Sequence, residues 1–230
     1  DPDGFSLRWY DRLLTYGMTA PDAVRDGAWW ADAWANSQWI HAAKNSFVIG
    51  ISSTLIATGL GTLAALGLSR PEMPFRRAVM ALLISPMIVP MIISATGLFF
   101  FYSKAGLAHT YVGIVLAHAM LGIPFVIITV TATLAGFDRS LIHAAASLGA
   151  SPVTTFRKVI LPLILPGVIS GALFAFVTSF DEVVVVLFVA SYDQQTIPLQ
   201  MWNGIREQIS PTILAAATIL ILFSIALLTT

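Results

Sequence analysis

Long stretches without a charged residue divide most of this chain into apolar segments. Four intervals between consecutive charged residues hold 22 to 33 uncharged residues, and the last 23 residues are also uncharged. A membrane-spanning helix needs about 20 predominantly apolar residues, and these runs do not alternate between apolar and polar positions as barrel strands would. The pattern therefore predicts five membrane-spanning helices, over residues 46–69, 78–101, 110–135, 163–190 and 209–229.

The composition agrees with a membrane protein. The 230 residues are 57% hydrophobic and 10% charged, and the mean hydropathy is +0.83, whereas soluble domains carry about 25% charged residues. Twelve basic residues balance twelve acidic ones, so the basic excess typical of a nucleic-acid-binding protein is missing. Cysteine is absent, which excludes disulfides and thiolate metal sites. The predicted fold class is all-α, a polytopic transmembrane helix bundle.

The basic residues of the short loops predict the orientation of the bundle. Loops 70–77 and 138–158 hold six Lys or Arg residues, whereas loops 102–109 and 191–207 hold two. Because cytoplasmic loops are enriched in Lys and Arg, the first pair is expected inside the cell. The C-terminus is then cytoplasmic and residues 1–45 are periplasmic. An external N-terminal segment must be carried across the membrane, so we expect a sixth, N-terminal span that this chain lacks.

Residues 1–45 differ from the rest of the chain, residues 46–230, which form the predicted transmembrane domain. They hold 10 of the 24 charged residues and five of the six tryptophans. Tryptophan is enriched where one part of its ring meets water and the other an apolar phase. We predict short helices lying on the outer face. A simple interfacial anchor is one interpretation, and a docking surface for an external partner is the other, with Trp29, Trp30, Trp34 and Trp202 as candidates.

The cytoplasmic segment 138–162 carries its own helix signals. Residues 139–148 are good helix formers, and Gly149 follows at the position where helices often end. Ser151 can cap a second helix that has Pro152 at its first position. Pro162 predicts a break before the next span. The segment is therefore expected to fold as a compact helix–turn–helix with a surface of small residues at Ala144, Ala145 and Ala146.

This segment resembles the EAA loop of binding-protein-dependent ABC transporter permeases. The family pattern is Glu-Ala-Ala, three residues, Gly, nine residues, Ile, one residue and Leu-Pro. The matching positions are Ala144, Ala145, Gly149, Leu161 and Pro162, with Val159 in place of Ile and His143 in place of Glu. Other elements resemble the spermidine/putrescine permease subgroup: Phe5-Ser6-Leu7, Trp9, Asn45-Ser46, Ser85-Pro86, Pro90, Ser179-Phe180-Asp181-Glu182, Thr196-Ile197-Pro198-Leu199 and Ser210-Pro211.

The resemblance implies a type I ABC importer permease in the cell inner membrane. It implies three kinds of partner besides the lipid bilayer: a second permease subunit of different sequence, a dimer of cytosolic ABC ATPases, and a periplasmic solute-binding protein. The partner ATPase would use ATP and Mg, and this chain is expected to bind no cofactor and no metal. The cargo implied is a polyamine such as spermidine or putrescine. The expected ATPase-coupling residues are His143, Ala144, Ala145, Gly149, Val159, Leu161 and Pro162.

Asp181 and Glu182 are the only acidic residues within any predicted span. Such residues normally face a bundle interior or a water-filled path, so either could line the cargo path. The alternative is a structural carboxylate bonded to a neighbouring helix or subunit. No nucleotide-binding or hydrolase motif is present, and no catalytic residue is predicted. Three other functions stay open: the same importer class with amino-acid-like or opine-like cargo, a carrier or channel without an ATPase, and an intramembrane enzyme.

Overall fold

The structure is a computed structural model that describes residues 6–138, 140–207 and 210–229. Within these ranges the regular structure is helical, without a strand. The α-helices are α1 Arg8–Thr15, α2 Gly27–Asn36, α3 Gln38–Leu68, α4 Arg76–Ile84, α5 Met91–Ala105, α6 Tyr111–Ala135, α7 Ser140–Ser147, α8 Pro152–Thr155, α9 Leu161–Phe180, α10 Val184–Val189, α11 Ile197–Glu207 and α12 Pro211–Thr229. Short 3-10 turns cover Ser85–Met87 and Tyr192–Gln194, and a π turn covers Phe156–Ile160. Arg139, counted above among the basic residues, and Phe5 lie outside the described residues.

Three helices form the centre of the bundle. Helices α3, α6 and α9 pack pairwise against one another, because small residues let their backbones approach closely. The GxxxG pair of α9, Gly167 and Gly171, faces α6. A Cβ atom on Gly171 would lie 2.8 Å from the Cα of Val126, and one on Gly167 would lie 2.9 Å from the carbonyl oxygen of Thr129. These two glycines therefore allow α9 to pack closely against α6.

The apolar helices match three of the predicted spans in position, and the second and fourth predicted spans differ. Gln38–Leu68, Tyr111–Ala135 and the continuous helix Pro152–Phe180 are each long and apolar enough to cross a membrane. The second predicted span is instead broken, since Arg76–Met87 and Met91–Ala105 meet at an angle of 98°. Prolines at 86 and 90 remove two backbone N–H donors at this break. The last predicted span is the apolar helix α12, which has 19 residues.

The fourth predicted span, 163–190, is wrong as a single helix. Helix α9 ends at Phe180, and a separate helix of six residues, α10, begins at Val184. Val185, Val186 and Val189 of α10 are fully buried in a core that includes residues of α5 and α6. The apolar run after Asp181 therefore forms a separate helix that is buried inside the bundle, and it does not continue α9.

The predicted break at Pro162 is also wrong. The chain remains helical from Pro152 to Phe180, and a π turn over Phe156–Ile160 precedes the proline. In this turn the N–H of Leu161 donates to the carbonyl oxygen of Phe156, five residues earlier. The wider turn makes room for the proline ring, which would clash with the carbonyl four residues before it in an ordinary α-helix.

The N-terminal segment forms the two short helices α1 and α2, as predicted. Leu13 of α1 packs with Trp39 of α3 and with Ala215 and Ala216 of α12. Helix α3 begins at Gln38, so it runs through the predicted domain boundary at residue 45 without a break. The segment is therefore packed onto one end of the bundle, where its helices contact both α3 and α12.

Candidate functional site

The predicted coupling loop, residues 138–162, begins with hydrogen bonds between Asp138 and Ser140, the first residue of α7. The carboxylate of Asp138 accepts hydrogen bonds from the backbone N–H of Ser140 at 2.8 Å and from its hydroxyl at 2.7 Å. These bonds stabilise the charged form and lower the pKa of Asp138 below its usual value. Negative charge at the start of α7 also suits the dipole of the helix. The beginning of the loop is thus fixed by local contacts.

The turn between α7 and α8 is a Schellman motif. Gly149 has φ of +77°, which favours glycine, and its N–H donates to the carbonyl of Ala146. The N–H of Ala150 donates to the carbonyl of Ala145 at 3.0 Å. Ser151 then caps α8 by accepting the N–H of Thr154 at 3.2 Å, with Pro152 in the first turn. The predicted helix–turn–helix is therefore present, with its glycine, cap and proline in the expected places.

The coupling loop presents apolar side chains to its surroundings. Leu148 is 87% exposed, and Leu141 and Val153 are exposed as well. His143 and Ala144 are exposed and Ala145 is half-buried, so the alanine surface is accessible. Farther along, Pro162 is exposed, and Val159 and Leu161 are half-buried. Exposed apolar patches of this kind mark interaction sites.

A cleft of about 560 Å³ separates the coupling loop from the ends of α3 and α6. His143 lines this cleft together with Arg70 and Glu72 of the loop between α3 and α4. The two loops that are rich in basic residues therefore lie at the same end of the bundle. The orientation predicted from the basic residues requires these two loops to lie on the same side of the membrane, and their position at one end of the bundle satisfies that requirement.

The structure separates the two acidic candidates. Asp181 is exposed and lines a cavity of about 390 Å³ between α9 and α12. Glu182 is only 8% exposed, and its Oε1 accepts the backbone N–H of Val185 at 2.9 Å, near the start of α10. Glu182 therefore makes a structural contact at the start of α10, and Asp181 is the one of the two that lines the cavity. Asp181 remains the candidate for the cargo path.

A buried polar cluster fixes the end of α9 beside Asp181. The hydroxyl of Ser53 on α3 donates to Ser179 Oγ at 2.9 Å, and His118 Nδ1 of α6 lies 2.7 Å from the same oxygen. All three side chains are buried. The cluster joins the three central helices just before the break at Asp181. No local sequence pattern points to the partner of His118, because Ser179 lies 61 positions farther along the chain.

Four phenylalanines form a cluster next to Asp181, and of these only Phe180 belongs to an element that resembles the permease subgroup. The ring of Phe180 has three neighbours with ring centres 5.2 to 5.3 Å away, namely Phe47, Phe176 and Phe223. Phe176, Phe180 and Phe223 also line the cavity that contains Asp181. In the sequence, the spacing of four residues indicates that the side chains of Phe176 and Phe180 are neighbours on one helix face. Phe47 and Phe223 come from distant parts of the chain.

The tryptophan candidates divide into one buried and three exposed residues. Trp29 is 2% exposed, packs with Met18 and Ala33, and donates its indole N–H to the carbonyl oxygen of Pro21. This burial removes Trp29 from the candidate docking surface. Trp30, Trp34 and Trp202 are exposed, so they stay candidates.

Hydrogen bonds to Asp32 stabilise the N-terminal segment, residues 6–45. Its carboxylate accepts the Thr19 hydroxyl at 2.5 Å, the Ala20 N–H at 3.0 Å and the side-chain amide of Asn36 at 2.6 Å. These bonds, with that of Thr19 the largest cause, lower the pKa of Asp32 to about 2. The carboxylate therefore stays charged near neutral pH and holds the loop between α1 and α2 against α2.

Comparison with protein families places these features in a known group. Residues 57–230 match the family of binding-protein-dependent transport system inner membrane components. The chain belongs to this family. It is an inner membrane permease subunit and not an enzyme. The family match, together with the relatives below, also decides against the carrier, channel and enzyme alternatives.

Individual relatives agree with the family. The chain is 35% identical to the spermidine/putrescine transport system permease protein PotC of Haemophilus influenzae, over 97% of this chain and 79% of the relative. It is 32% identical to PotC of Escherichia coli strain K12, over 97% of this chain and 77% of that protein. The putrescine transport system permease protein PotI of the same strain is 30% identical, over 95% and 73%.

Two solved transporters share the fold. A structure of the MetNI methionine ABC transporter in inward-facing conformations superposes with a TM-score of 0.69 and 18% identity, over 83% of this chain and 91% of the other. A bacterial ABC transporter involved in import of the acidic polysaccharide alginate gives 0.64 and 16%, over 96% and 85%. These likenesses confirm the predicted ABC importer permease fold.

Proposed function

We propose that this permease belongs to an ATP-driven importer that carries a polyamine such as spermidine or putrescine into the cytoplasm by alternating access. The relatives with 30% to 35% identity are permeases of spermidine and putrescine systems. The observation that carries the proposal is Asp181, the one charged side chain among the described residues that line the cavity between α9 and α12. A carboxylate there attracts the ammonium groups of a polyamine and compensates part of their lost hydration.

The same carboxylate argues against the other cargo considered. Amino acids and opines carry carboxylates as well as amines, and a negatively charged cargo group would be repelled by Asp181 in a cavity of low dielectric. A polyamine carries positive charge alone. The charge of the cavity therefore favours polyamine cargo within the importer class.

The coupling loop is proposed to receive a cytosolic ABC ATPase, which would work as a dimer and use ATP and Mg. Leu148, Val153 and the exposed Ala144 supply an accessible apolar surface for this contact.

A second permease subunit of different sequence is proposed to complete the pathway. By the charge rule the coupling loop and the C-terminus are cytoplasmic. The segment 1–45 is then periplasmic. Its Trp30 and Trp34, together with Trp202 of α11, are proposed to contact the solute-binding protein.

Uptake by the assembled importer tests the proposed function. The permease, its partner subunits and its binding protein are reconstituted in vesicles, and uptake of labelled spermidine and putrescine is measured with and without internal ATP. We expect ATP-dependent uptake that excess unlabelled polyamine blocks and that excess amino acids or opines leave unchanged. Uptake that persists without ATP, or uptake blocked by amino acids, would overturn the proposal.

Replacing Leu148 with serine is expected to weaken binding of the ATPase by about tenfold, since the loss of one central apolar contact at an interface typically costs more than 1 kcal/mol. The side chain is 87% exposed, so the substitution should leave the permease folded. Affinity is measured between the purified ATPase and the permease complex, and transport should fall in parallel.

Phe75 provides the matched control for Leu148. It is 83% exposed and lies in the loop between α3 and α4, at the same end of the bundle but outside the coupling loop. Phe75→Ser should therefore bind the ATPase as the unmodified chain does. Equal weakening by both substitutions would show that the coupling loop is not the specific contact.

A further inference from the structure

The cavity beside Asp181 has three kinds of wall. Asp181 supplies a carboxylate, the rings of Phe176, Phe180 and Phe223 form an aromatic wall, and α12 contributes an aliphatic wall of Leu220, Ile221 and Leu227. The volume is about 390 Å³, which falls within the range of roughly 300–1,000 Å³ for small-molecule sites. These walls suit a molecule that has both cationic and apolar parts.

The aromatic wall is held in place by ring-to-ring packing. Phe176 and Phe180 stack with their planes 26° apart, and Phe180 and Phe223 have ring centres 5.3 Å apart. Phe47 of α3 packs behind them, edge to face on both Phe180 and Phe223. Because each ring contacts at least two others, the cluster presents a preformed surface to the cavity.

Aromatic rings and a carboxylate recognise the same group in different ways. The face of a ring attracts a cation within about 6 Å of its centre, and the attraction increases when water is excluded. The carboxylate attracts the same cation through its charge. An aliphatic polyamine has ammonium groups separated by methylene segments, so its charges suit Asp181 and the rings while its methylenes suit the aliphatic wall.

We propose that Phe176, Phe180 and Phe223 act with Asp181 as a specificity site that binds the ammonium groups of an aliphatic polyamine by cation–π contact. This inference rests on the proposed polyamine function and assigns its selectivity to the aromatic wall. The rings distinguish an alkyl polyamine from a hydrated inorganic cation, which gains nothing from the aliphatic wall and retains its water.

A pair of substitutions on one helix tests the aromatic wall. Phe176 lines the cavity, whereas Phe174 lies on the same helix outside the cavity lining and stacks on Phe125. In the reconstituted importer, with saturating polyamine-loaded binding protein, we expect Phe176→Leu to lower the polyamine transported per ATP hydrolysed at least threefold. Phe174→Leu should leave that ratio unchanged, because its ring does not reach the cavity.

Fluorinated phenylalanine separates recognition from packing. Trifluorophenylalanine at position 176 keeps almost the same shape but weakens the negative face of the ring, so the polyamine transported per ATP should fall as it does for leucine while thermal stability stays the same. Unchanged transport with the fluorinated ring would overturn the aromatic site while leaving the proposed function intact. If the unmodified importer carries no polyamine at all, the proposed function itself fails.

Discussion

Asparagine at position 181 is expected to lower polyamine uptake by about tenfold to a hundredfold, the range that corresponds to losing one hydrogen bond to a charged group. The substitution keeps the shape of the side chain and removes its negative charge. Because Asp181 is exposed in the cavity, the fold of the permease should not change. The initial rate of uptake into vesicles, compared with the melting temperature of the same preparation, measures the effect.

Glu182 is the neighbouring control with a different role. Its Oε1 accepts the N–H of Val185, and the side-chain oxygen of a glutamine can accept the same bond. Glu182→Gln should therefore transport polyamine at close to the normal rate. The assignment of Asp181 to the cargo path is contradicted if Asp181→Asn transports normally, or if Glu182→Gln loses as much transport as Asp181→Asn.

A methyl group on Gly171 is expected to destabilise the bundle by about 1–3 kcal/mol, the usual cost of overpacking a core. In Gly171→Ala the new Cβ would lie 2.8 Å from the Cα of Val126 and 2.5 Å from the Thr129 hydroxyl. A backbone atom cannot move aside as a flexible side chain can, so α6 and α9 must separate. The melting temperature of the purified protein in detergent and its folded yield should both fall.

Gly59→Ala is the matched control, because a methyl group at Gly59 has free space around it. No atom lies within 4 Å of a Cβ built on Gly59, which is on α3 in the same bundle. Gly59→Ala should therefore leave the melting temperature unchanged or raise it slightly, since alanine favours a helix more than glycine does. If the two alanine variants melted alike, the close packing of α6 against α9 would be refuted.

Features set by neighbouring residues were predictable from the sequence. The coupling loop depends on Gly149, Ser151 and Pro152 acting over a few positions, and each occupies its expected place. The long apolar helices follow from runs without charge, since a charge in lipid is costly. Their small-residue contact surface was likewise visible as the spacing of Gly167 and Gly171.

Features set by distant contacts were not predictable. The break after Phe180 depends on Glu182 capping α10 and on α10 finding a buried place among α5 and α6, and no local pattern reveals either. An apolar run that is long enough to cross a membrane has the same sequence pattern whether it forms one spanning helix or breaks and turns back into the bundle. For this reason Asp181 and Glu182 seemed equivalent in the sequence, although only Asp181 reaches the cavity.

The unbroken helix from Pro152 to Phe180 has a mechanical consequence. Its 29 residues extend for about 43 Å at the α-helical rise per residue, from the proposed ATPase contact to the residue before Asp181. We therefore expect a tilt at the proposed ATPase contact to be transmitted along this one helix towards the carboxylate of Asp181. Movement of the ATPase and release of the cargo would then be coupled through a single helix.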